Sequence, residues 1–141
     1  MSTAPRKFKV SAEMGRPGTY TYHCRQNKLT MFPISDARPA GDATIMNPVE
    51  LLLSALCGCI GLTIENIASE KKILIRDIRI EIEGERFENA PSVALQEIRT
   101  RVTIDSDLDR ASLEELLAEA EKQCTVTDTI IRTPVMKVEL A

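Results

Sequence analysis

Between Asn47 and Ile64 the chain reads Asn-Pro-Val-Glu, then Leu-Leu-Leu-Ser-Ala-Leu-Cys-Gly-Cys-Ile-Gly-Leu-Thr-Ile, and no other stretch limits the fold as strongly. Three signs place a helix start here: Asn47 as N-cap, Pro48 at the first helical position, and Glu50 three residues after the cap. The run that follows has no polar face, since Leu51, Leu52 and Leu53 alone sweep about 200° of a helical wheel. A helix apolar on every side is expected to be buried on every side. A chain of 141 residues has difficulty enclosing one, so a partner subunit is expected to cover part of it. The uncharged stretch from Leu51 to Ile64 falls short of the ~20 residues that span a bilayer, which favours a core helix over a membrane anchor. Gly58 and Gly61 weaken the helix by roughly 1 kcal/mol each, and the return expected is close approach of another backbone.

Strand patterns flank this helix. Phe8, Val10, Ala12 and Met14 alternate with polar residues, Gly15-Arg16-Pro17-Gly18 is turn chemistry, and Thr19 to Cys24 is rich in β-formers. Leu29 to Ile34 reads as a further strand and Ser35 to Met46 as a loop. Beyond Lys71-Lys72, Ile78, Ile80 and Ile82 alternate with charges, Gly84 to Ser92 forms a connection, and Ile98, Val102 and Ile104 share a face with Thr100. A second helix, with a capping box at Ser112–Glu115, runs through Leu116, Leu117 and Ala120 to Cys124. Thr127-Asp128 reads as the cap of a short third helix, and Met136, Val138 and Leu140 as a last strand. The order predicts one α+β domain over residues 1–141, with largely antiparallel sheet.

Charge excludes one class of partner. Eighteen basic and 21 acidic residues give a net charge of −3, against the basic excess of a nucleic-acid binder. At 4% aromatic with no Trp, the chain cannot build a stacking platform for single strands. The opening residues lack an apolar signal core, so a cytoplasmic location and no membrane association are expected. In that compartment Cys24, Cys57, Cys59 and Cys124 read as reactive, metal-bound or buried thiols rather than structural disulfides. His23, the single histidine, excludes schemes needing several imidazoles.

Cys59 stands eleven residues past Pro48, and Cys124 opens Cys-Thr-Val-Thr. With Asn47-Pro48-Val49-Glu50-Leu51-Leu52, this arrangement resembles the OsmC/Ohr family, the osmotically inducible protein C and organic hydroperoxide resistance proteins. The likeness extends from about Gly15 to Leu140. It implies antiparallel sheets wrapped around a buried central helix in an intertwined homodimer. It also implies a thiol-dependent peroxidase, with Cys59 attacking the hydroperoxide and Cys124 resolving the sulfenic acid into a disulfide that an external dithiol reduces. No cofactor is implied. Arg38 resembles the loop arginine of one branch and Arg16 the turn arginine of the other; either would stabilise the thiolate and steady the departing oxygen. Glu50 would orient that arginine. Val49 stands where the peroxidase branches carry glutamate, and Thr125 where proline is usual. An OsmC-like protein that binds an acyl or thiol-bearing ligand without reducing peroxides is the alternative.

Each residue also has a plainer reading. Cys59 can be a small core residue, Glu50 the capping-box carboxylate, and Arg16 and Arg38 solvated loop residues. Cys57 lies about 200° around the helix from Cys59 and reads, like Cys24, as packing. Zinc held by Cys57, Cys59, Cys124 and His23 is disfavoured, because Cys-x-Cys on a continuous helix splays its sulfurs. Met31, Phe32, Met46 and Leu56 offer an apolar lining for an organic substrate.

Overall fold

The computed structural model describes residues 7–16, 19–24 and 47–141. The chain falls into two compact units, Met1–Leu52 and Leu53–Ala141. In the first, β1 (Val10–Arg16) pairs antiparallel with β2 (Thr19–Cys24). Gly15 and Arg16, expected in the turn, still belong to β1: Met14 faces Tyr20 and Arg16 faces Thr19, leaving Gly15 as the extra residue of a bulge. The strand expected over Leu29–Ile34 and the loop over Ser35–Met46 lie outside the described residues.

The long helix starts where its capping signs place it. α1 runs from Pro48 to Glu70, and the Glu50 N–H donates to Asn47 Oδ1 at 2.8 Å. It ends in a Schellman turn: Ile73 N–H donates to the Ala68 carbonyl at 2.8 Å and Lys72 N–H to that of Ser69 at 3.2 Å. Lys72 occupies the left-handed position, at φ 56°, where glycine is usual.

In the second unit, β3 (Ile75–Glu85) and β4 (Glu97–Ser106) form an antiparallel hairpin with Ile78 opposite Ile104 and Ile80 opposite Val102. Arg76 is the extra residue of a bulge between Ile75 and Asp77. One extra residue shifts the pleat, so Ile75 and Ile78 face the core although three positions apart. The Arg76 guanidinium, turned outward, meets Asp105 at 2.6 Å and Asp107 at 2.8 Å. Gly84, expected in the connection, is paired within β3 opposite Ile98; a Cβ there would come within 2.7 Å of the Leu95 side chain.

α2 (Arg110–Gln123) is capped by Asp109, whose carboxylate accepts the Ser112 N–H at 2.8 Å; the expected capping box at Ser112 lies inside the helix. α3 (Thr125–Ile131) follows after one extended residue, Cys124, which caps it in place of the expected Thr127-Asp128. The core joins one stripe of α1 (Leu56, Ile60, Ile64, Ile67) to a stripe of α2 continued by the next residue (Leu116, Ala120, Cys124), with the isoleucines of the hairpin packed against both. These are the i, i+3 and i+4 spacings of a single helix face.

The single chain does not enclose α1 on every side, for Leu62 is 62% exposed. Two expectations need correction. Gly61 meets the tip of the Ile80 side chain rather than a backbone, and Gly58 borders open space. Residues 133–141 form no strand: among the described residues no edge pairs with them, and Val138 is 92% exposed. By length and composition α1 could cross a membrane, with a window of mean hydropathy 1.8, but its Leu56–Ala68 stripe is spent on this core.

Candidate active site

Cys59 and Cys124 are 65 residues apart in sequence and meet inside the second unit. Cys59 reaches the core edge because it lies one turn from Leu56 on α1; it packs against the buried cluster while staying half-buried. Its carbonyl accepts the Thr63 hydroxyl at 2.7 Å. Cys124 is fully buried, at 0% exposure, because it extends the Leu116–Ala120 stripe by one turn. The chain must leave α2 and enter α3 through this one residue, and its φ of −75° and ψ of 112° turn the next amides back toward the sulfurs.

Both thiols are free, and Cys59 packs against the buried cluster that contains Cys124, close enough for each to perturb the other's ionisation. Cys124 Sγ accepts the Thr127 N–H at 3.5 Å. The Thr127 hydroxyl oxygen is buried and has no hydrogen-bond partner among the described residues. The backbone of Val126 and Thr125 favours ionisation of the Cys59 thiol. These contacts divide the pair. Burial, and then the hydrogen bond to Cys124, push the Cys59 thiol up from its ordinary value. Burial also opposes ionisation of Cys124, but the contacts from Cys59 and Thr127 outweigh it and bring that thiol down.

A cavity of about 200 Å³ shares Thr127 with the pair and is otherwise lined largely by Leu56, Ile60, Ile98, Ile130 and Ile131. Of the apolar lining expected from sequence, Leu56 is there; Met31, Phe32 and Met46 lie outside the described residues. Arg38 also lies outside them, and Arg16 is placed only as the end of β1. Glu50 sits in the first turn of α1, nine residues before Cys59 on the same unbroken helix. Cys57 is half-buried on another side of α1, in a groove with Gly58, Gly61 and Leu62. Thr127 was legible only as a helix cap, since nothing in its spacing shows that the chain turns at Cys124.

A sequence profile described as OsmC-like protein matches residues 41–139. Among solved structures, the fold is similar to an OsmC-like protein from Mycoplasma pneumoniae, with TM-score 0.81 and 23% identity, covering 92% of this chain and 91% of that one. It is also similar to the organic hydroperoxide resistance protein OhrB of Bacillus subtilis, with TM-score 0.62 and 22% identity, covering 91% and 93%. An uncharacterized protein of Methanocaldococcus jannaschii, MJ0573, is 26% identical over 87 residues, which are 60% of this chain and 44% of that protein. The chain thus spans less than half the length of that relative.

Proposed function

This chain belongs to the OsmC family, and from that premise we propose that it reduces organic hydroperoxides through the Cys59–Cys124 dithiol. The observation that carries the reading is the packing of two free thiols at one core cluster, one half-buried and one closed to solvent. A sulfenic acid formed on Cys59 has its resolving thiol already beside it, so disulfide formation outruns over-oxidation. The hydroperoxide resistance name of the Bacillus subtilis protein agrees with this chemistry. The isoleucine-lined cavity suits an alkyl or aryl group better than hydrogen peroxide. Arg38 or Arg16 supplies the permanent cation, and an external dithiol in a reducing, cytoplasmic setting returns the disulfide to thiols.

The protein works as a homodimer in this reading. A half-exposed Leu52, an exposed Leu62 and the exposed apolar side chains of Val135, Met136, Val138 and Leu140 leave apolar surface that a second copy would cover. Thiol titration before and after one equivalent of cumene hydroperoxide tests the function. Loss of two thiols per chain is the expected result. No loss would turn the reading to a family member that binds a small acyl or thiol-bearing ligand.

A further inference from the structure

We propose that Thr127 sets the substrate class of this site: its hydroxyl donates to the carbon-bound oxygen of a small, uncharged hydroperoxide whose organic group fills the adjoining cavity. The identity of the substrate rests on the peroxidase reading; the contact with Thr127 does not. Thr127 belongs to both halves of the site. Its N–H donates to Cys124 Sγ at 3.5 Å, and it lines the cavity of about 200 Å³. Its hydroxyl oxygen is buried and has no hydrogen-bond partner among the described residues. A buried hydroxyl left in that state weakens the fold, and an acceptor brought by a ligand removes the penalty. Threonine in a helix has two χ1 wells open to it, so a hydroxyl with no bond to break turns readily toward what enters.

The walls define the ligand. Leu56 and Ile60 of α1 are buried while Ile131 of α3 is 73% exposed, so the cavity opens from the core toward water. A drug-sized ligand takes roughly 300–1,000 Å³. This cavity is smaller and suits a short branched alkyl group or a single aromatic ring. Among the described residues Glu121, itself exposed, is the one charged side chain that lines it. Its carboxylate repels an anion at the mouth, which sets a neutral hydroperoxide above one that carries a carboxylate. With the organic group seated in the cavity, the carbon-bound oxygen is the first acceptor beyond it, and the terminal oxygen stays free for a thiol. The alcohol product keeps that carbon-bound oxygen, so it offers Thr127 the same acceptor without a redox step.

Cumyl alcohol is the probe, with tert-butylbenzene as the same shape bearing a methyl in place of the hydroxyl. Binding to the full reduced chain is followed on the isoleucine methyl resonances of the cavity. Thr127→Val keeps the side-chain shape and the backbone N–H. It is expected to weaken cumyl alcohol about fivefold and to leave tert-butylbenzene within about twofold. Thr127→Ser, which keeps the hydroxyl, is expected to bind the alcohol within about twofold of the parent. Because the hydroxyl is unpartnered, Thr127→Val is also expected to raise the ligand-free Tm by about 3 °C. A hydroxyl that serves only the fold gives the opposite pair of results: Tm falls and the alcohol binds as before. Thr127→Ala supplies the binding comparison if Thr127→Val fails to fold. Equal affinity for cumyl alcohol in the parent and the hydroxyl-free variant, or a fall in Tm with Thr127→Val, would overturn the role of Thr127. The para-carboxylate of cumyl alcohol is expected to bind about threefold less tightly than the alcohol, and Glu121→Gln to close that gap. A gap that persists in Glu121→Gln overturns the charge selection. A chain that binds cumyl alcohol through Thr127 yet loses no thiols to cumene hydroperoxide keeps the contact and drops the peroxidase. Loss of two thiols at equal rates in the parent and Thr127→Val keeps the peroxidase and drops the contact.

Discussion

Cys57 and Cys59 differ by two positions and lie in unlike surroundings. Cys59 contacts Cys124, whereas Cys57 lines a groove on another side of α1. Cys59→Ser is therefore expected to abolish hydroperoxide-dependent thiol loss, and Cys57→Ser to leave two thiols lost per chain. The reverse outcome would place the helix in the wrong rotation. The pairing of Cys59 with Cys124 is what the family resemblance implied, and one turn of an apolar stripe carries each cysteine to the core. The part played by Thr127 was not, since it depends on one extended residue between two helices. Charge at the residue scale gives a second expectation. The Arg76 guanidinium holds the Asp105 carboxyl below its ordinary 3.8. A carboxyl lowered in the folded chain adds stability above its unfolded value and loses it as pH falls through the folded one. The Tm difference between the parent and Arg76→Met should be largest near pH 6 and shrink toward zero by about pH 2. Added salt should narrow it throughout, because the pair is exposed.

The two ends of α1 show how far a sequence specifies an element. Its start is local chemistry: an asparagine, a proline and the N–H of Glu50 lie within four residues, and each is visible without any tertiary contact. Its end is a backbone conformation, and lysine at the left-handed position gives no sign of it. Lys72→Gly should relieve a strain of about 1 kcal/mol, partly offset by greater freedom of the unfolded chain, for a net gain of roughly 0.5 kcal/mol in denaturant melts. Asn47→Ala should cost about 1 kcal/mol at the other end. The alternating isoleucines of β3 and β4 announced the hairpin, but a bulge at Arg76 cannot be read from alternation because it is the place where alternation stops. The exposed segment 133–141 has the pattern of a strand without an edge to pair with among the described residues, which a period of two cannot reveal.

At the scale of the whole molecule the open question is where Glu50 acts. α1 runs without a break from Pro48 to Glu70, so nine residues put about 13 Å of helix rise between Glu50 and Cys59. Nine steps of ~100° also turn them to opposite sides. Within one helix, then, Glu50 cannot touch the sulfur beside Cys124. If it serves a thiol, that thiol belongs to a second copy, with the two central helices packed antiparallel across the apolar face that Leu62 leaves exposed. Sedimentation should accordingly find a dimer at micromolar concentration, and Leu62→Glu should weaken it. Mixing subunits tests the shared site directly. Dimers pairing a Glu50→Gln chain with a Cys59→Ser chain contain one pocket carrying both defects and one carrying neither. A shared site therefore predicts recovered hydroperoxide reduction, near half the wild-type rate at full heterodimer, from two parents that are each inactive. If Glu50 only belongs to the helix start, the Glu50→Gln parent reduces hydroperoxide as well as the wild type and mixing adds nothing.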